Sequence, residues 1–182
     1  MSDSHHADGH EHGPEAGARG IDTIEHLARH IGELLSPSSI IICVGNDICA
    51  DDGAGPAVAR RIDGKVPWTV LDVQTVPESF LMKIVDAKPE AVMIVDALDF
   101  DAAPGAVELF AAEAVTGQGP STHGPAPIAF LDLLKMMHPC RRAILGIQPA
   151  VGEFGGDMTA EVHAAVEFVS EGFLLAARDA AG

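Results

Sequence analysis

Residues 39–56 read SIIICVGNDICADDGAGP, and the fold is decided by how that stretch changes character at Gly45. Ser39–Val44 is an apolar run without polar alternation, the mark of a β-strand covered on both faces. Gly45-Asn46 is a turn signal. Pro56 suits the first turn of a helix, so a helix is expected from Gly55 or Pro56 to Ile62. A buried strand that leads through a loop into a helix is the repeating unit of layered α/β proteins, whose strands run mostly parallel.

The same rhythm continues downstream. Thr69–Val73 reads as a second strand and Ser79–Asp86 as a second helix. Ala91–Val95 (AVMIV) is a third buried strand that stops at Asp96. Ala106–Phe110 follows a Pro104-Gly105 turn and is expected as a short antiparallel strand on the edge of the sheet. Residues 116–127 are loop, Ile128–Met137 an amphipathic helix, Ala143–Ile147 another buried strand, and Thr159 to Ala177 a final helix. Upstream, Asp22 is placed to cap a helix that carries Ile24, Leu27, Ile31 and Leu34 on one face and ends near Ser36-Pro37. The expected fold is a three-layer α/β/α arrangement with a twisted, mostly parallel sheet of about five strands and one antiparallel edge strand. Residues 1–20 are expected as a disordered His-rich tail, 21–37 as an extra helix, 38–177 as one domain and 178–182 as a disordered tail.

Composition narrows the partners. The 182-residue chain carries 11 basic and 27 acidic residues, a formal charge of −16. Such a field repels nucleic acid and anionic lipid, whose phosphates need clustered Lys and Arg. Cys43, Cys49 and Cys140 do not form a disulfide framework. Cys43 sits in an apolar run as a small hydrophobe, whereas Cys49 lies in the loop that carries the acids. No apolar stretch reaches membrane-spanning length and no secretory signal leads the chain, so a cytoplasmic protein without membrane insertion is expected, as a monomer. His5, His6, His10 and His12 offer imidazoles to a borderline divalent ion such as nickel; the plainer reading is a solvated tail that binds metal incidentally.

In open parallel sheets, sites form beyond the carboxyl ends of the strands. Three polar signals fall there: Asp51-Asp52 in the loop after the first strand, Asp96 at the end of the third, and His123 in the Gly- and Pro-rich loop. Two carboxylates and an imidazole suit a borderline divalent cation. Each also has a plain role: Asp51 or Asp52 as a helix cap, Asp96 as an acceptor for turn amides, His123 as a surface residue. Asp99 is positioned to support the site from behind. No Gly-x-Ser-x-Gly elbow and no phosphate loop is present.

Four motifs in order carry a resemblance. Cys43-Val44-Gly45-Asn46, followed after four residues by Asp51-Asp52-Gly53-Ala54-Gly55-Pro56, resembles the opening motif of the hydrogenase maturation endopeptidases, nearest to the branch that serves hydrogen-evolving, membrane-bound hydrogenases. Ile94-Val95-Asp96-Ala97 is similar to that family's second ligand motif, Thr122-His123 to its third, and Gly146-Ile147-Gln148-Pro149 to the segment near its last strand. The resemblance spans about residues 39–173. It implies an aspartic-type endopeptidase that trims the C-terminal extension of a nickel–iron hydrogenase large-subunit precursor. It implies metal ligation by Asp52, Asp96 and His123, with Asp52 and Asp72 as the catalytic carboxylates. The nickel is expected to arrive with the precursor, and no organic cofactor is expected. At Asp72 the chain reads Asp-Val-Gln-Thr where many members have Asp-Gly-Gly-Thr, a loss of permissive backbone positions. A nickel-binding carrier without protease activity, suggested by the tail histidines, is the alternative.

Overall fold

The computed structural model describes residues 18–112, 126–150 and 156–180. Its elements in chain order are β1 (Ala18–Gly20), α1 (Ile24–Leu34), β2 (Ile40–Val44), α2 (Ala54–Ile62), β3 (Thr69–Gln74), α3 (Leu81–Ala87), β4 (Ala91–Ala97), β5 (Val107–Ala111), α4 (Ala126–Met137), β6 (Arg141–Ile147) and α5 (Ala160–Asp179). They build one sheet of order β1-β5-β6-β4-β2-β3. The four strands from β6 to β3 run parallel, while β5 is antiparallel to β6 and β1 antiparallel to β5.

The continuous apolar runs do what their composition dictates. Every residue of β2 and of β4 is buried, and successive side chains supply the two faces in turn. Ile41, Cys43, Met93 and Val95 face a core shared with α1, α2 and α5, including Leu27, Ile31, Val58, Val166 and Phe173. Ile40, Ile42, Val92 and Ile94 face a second core with Leu81 and Ile84 of α3 and with Phe130, Leu131 and Leu134 of α4. Helices on both faces of the sheet give the three layers expected. Among the described residues no helix is long and apolar enough to cross a membrane.

Four boundaries differ from expectation, each for a physical reason. The antiparallel strand β5 is not the edge: Ala18–Gly20 pairs with Glu108–Phe110 and covers it, satisfying main-chain groups that an edge leaves open. These three residues were expected in a disordered tail, because Ala-Arg-Gly carries no strand pattern; residues 1–17 lie outside the described residues. Thr23, not Asp22, caps α1, its side-chain oxygen accepting from the His26 amide at 3.1 Å. Asp96 lies within β4, opposite Gly146, rather than after it. Finally, α5 runs through Asp179, into the segment expected as a tail, with Arg178 favourably placed at the negative end of the helix dipole.

Candidate active site

The loop between β2 and α2 closes on itself. Gly45 takes φ 141°, and a Cβ there would overlap the main-chain oxygen of Asp52. Only glycine lets the returning chain come that near. The Asn46 amide donates both to that oxygen at 3.1 Å and to the Asp52 carboxylate at 2.9 Å. Asp52 is thereby aimed back across the end of β2. Gly55, one turn later, sits against the strand ends: a Cβ would overlap the Val44 oxygen and lie 2.7 Å from that of Val95. Helix α2 therefore starts directly over the carboxyl ends of β2 and β4, its positive end toward the acids. Neither acid of the pair caps it, since the Gly53 cap makes no side-chain bond.

Asp52 and Asp96 lie within range of each other's charge at this end of the sheet. Asp96 is 7% exposed. Burial, which disfavours a carboxylate, pushes its pKa well above the usual range; the nearby Asp52 charge pushes the same way, and the Ala97 amide opposes. Among the described residues neither acid has a cationic side chain in salt-bridge range. Two acids within range of each other's charge, with no such partner among the described residues, favour a positive ion or a proton beside them. Among the described residues no three His, Cys, Asp or Glu side chains converge as a complete metal cluster. His123, the third expected ligand, lies outside the described residues.

Asp72 stands one strand further out. Its carboxylate is exposed and accepts from the Gln74 main-chain amide at 3.2 Å and from the Gln74 side-chain amide at 2.8 Å. Gln74 takes φ 51°, a left-handed conformation, and its main-chain oxygen accepts from Gly45 at 3.0 Å. The missing glycines thus do not abolish the turn: Gln74 adopts the strained conformation itself, its side chain tied to Asp72. Burial pushes the Cys43 thiol up, and the charges of Asp72 and, more weakly, Asp96 push the same way against a backbone hydrogen bond with Ala59.

The first acid of the pair, whose plain role from sequence was a helix cap, works elsewhere. Asp51, fully buried, reaches the segments that frame the start of α5. It accepts from the Ala150 amide at 2.9 Å, the Thr159 amide at 2.7 Å and the Thr159 hydroxyl at 3.1 Å. Gln148 organises the loop after β4 in a similar way. Its carbonyl oxygen accepts from the amides of Phe100 at 2.9 Å and Ala102 at 3.2 Å, and its side-chain nitrogen donates to Asp99 at 3.1 Å. Asp99 therefore supports the loop beside Asp96 through Gln148. Spacing could not reveal either clamp, because the partners are remote in sequence.

Comparison with known proteins agrees with this architecture. Residues 56–175 match the family described as HycI, hydrogenase maturation protease. The hydrogenase 3 maturation protease of Escherichia coli strain K12 is 33% identical over 136 residues, covering 72% of this chain and 86% of the relative. The solution structure of the endopeptidase HycI from Escherichia coli superposes with a TM-score of 0.68 at 31% identity, over 75% of this chain and 88% of that one. The crystal structure of the NiFe hydrogenase maturation protease HycI from Thermococcus kodakarensis KOD1 shares the fold, with a TM-score of 0.74 at 24% identity over 82% of this chain and 99% of that one.

Proposed function

The chain belongs to the hydrogenase maturation proteases, and from that membership we propose that it cuts the C-terminal extension from a nickel-loaded large-subunit precursor of a nickel–iron hydrogenase. The observation that carries the reading is the Asp52–Asp96 pair, two acids within range of each other's charge at the strand ends, with Asp96 buried and its pKa raised by that burial and by Asp52. Such a pair is suited to a metal ion that arrives with the substrate. Among the described residues it is not joined by the thiolates or multiple imidazoles that would hold an ion tightly at rest. Asp52, Asp96 and His123 then contact the nickel carried by the precursor, which polarises the scissile carbonyl or lowers the pKa of the attacking water. Asp52 or the exposed Asp72 takes the proton from that water.

The relative named as a hydrogenase 3 maturation protease supports a hydrogenase as the source of the substrate, and the resemblance of the opening motif favours the hydrogen-evolving, membrane-bound class. Family membership favours the endopeptidase over the nickel-carrier alternative. The protein is expected to act in the cytoplasm, as a monomer, on the large-subunit precursor. The test is cleavage of nickel-loaded against nickel-free precursor by the wild type and by Asp52→Asn, Asp96→Asn, His123→Ala and Asp72→Asn. Cutting of the loaded form alone, and its loss in the first three variants, is expected. Full activity in those three, or equal cutting of nickel-free precursor, overturns the reading.

A further inference from the structure

Helix α1 lies before the matched residues 56–175, and its histidines have no part in the acid site. His26 and His30 are four apart, so their rings share one face of the helix. The two Nε2 atoms are 2.9 Å apart and the ring centroids 4.6 Å. Glu33 brings a carboxylate oxygen to 3.5 Å from the other nitrogen of His30, Nδ1. A carboxylate behind one ring nitrogen favours the proton there and leaves the other nitrogen as a donor to metal. His30 is 9% exposed, while His26 is half-buried.

We propose that His26 and His30 form a binding site for one late first-row divalent cation, with Glu33 positioning His30. The spacing fits a tetragonal ion such as nickel or copper, for which two nitrogens each about 2.1 Å away at right angles lie ~3.0 Å apart; tetrahedral zinc asks the rings to part to ~3.4 Å. A cation therefore replaces the shared proton between the rings with only a small rotation of His26. Imidazole suits zinc, copper and nickel, and the formal charge of −16 draws cations toward the protein. Water or a further side chain completes the coordination sphere.

The histidines among residues 1–17 are a competing source of imidazole, so the test separates them. Full-length protein with His5, His6, His10 and His12 all replaced by Ala is titrated calorimetrically with Ni²⁺ and, separately, with Zn²⁺. One ion per chain is expected, with affinity reduced tenfold or more when His26→Gln is added. The same substitution should abolish the rise in melting temperature on adding the ion while leaving precursor cleavage unchanged. In the unsubstituted protein, substoichiometric Zn²⁺ should shift the His26 and His30 ring signals in NMR spectra. No binding once residues 5–12 lack histidine, an affinity indifferent to His26→Gln, or ring signals of His26 and His30 that stay put, overturns the proposal.

Discussion

Asp96 shows how a single side chain sets function against stability. Its folded-state pKa lies above the ordinary value, chiefly through burial and then through Asp52. The folded protein thus binds this proton more tightly than the unfolded chain. The contribution to stability is complete below the unfolded pKa of about 4 and is lost as pH rises through the folded one. Asp96→Asn should therefore melt ~3 °C higher than wild type at pH 7, with the difference shrinking toward pH 4, and should lose cleavage by about a hundredfold or more. Melting curves across that range check it; parallel pH profiles for the two proteins would sink the argument. Asp52 and Asp96 stood out in the sequence as candidates because the first lies in the loop that follows an apolar run and the second ends one, each within a recognisable motif. Asp51 was not legible: it looks like its neighbour, and its partners Ala150 and Thr159 lie 99 and 108 positions away.

At the scale of elements, the placement of α2 rests on backbone contact. Gly55→Ala should cost more than ~3 kcal/mol, because the new methyl meets main-chain oxygens of two central strands that cannot yield. Gly32→Ala is the control. It lies in α1 with nothing within 4 Å of the added carbon, and should stabilise by about 0.5–1 kcal/mol. Urea denaturation of both variants measures the contrast, and similar midpoints would refute it. The strands β2, β4 and β6 were readable because burial on both faces leaves long apolar runs. Helix starts were less so: short 3₁₀ turns, Ala50–Gly53 and Pro77–Phe80, precede α2 and α3 and carry no periodic signal of their own. The Gln74 conformation was also hidden, since glycine is the usual residue for a positive φ.

At the scale of the whole molecule, the sheet ends in β1, a strand too short to announce itself, which covers the outer side of β5. Removing residues 1–17 should leave the protein monodisperse, whereas removing 1–20 exposes β5 and should promote association through that edge. Light scattering distinguishes the two, and equal behaviour would show that β1 protects nothing. The fold class was legible from strand and helix rhythm, but a three-residue strand paired across 90 positions was not. The Asp51 clamp has a consequence for how the protein breathes. Its buried carboxylate ties the acid-bearing loop to both ends of the segment leading into α5, so neither can open while the other stays shut. The amides of Asn46, Asp52 and Thr159 should then exchange with solvent deuterium at one common opening free energy, as a single cooperative unit. In Asp51→Asn they should separate into two, with the acid-bearing loop becoming the faster.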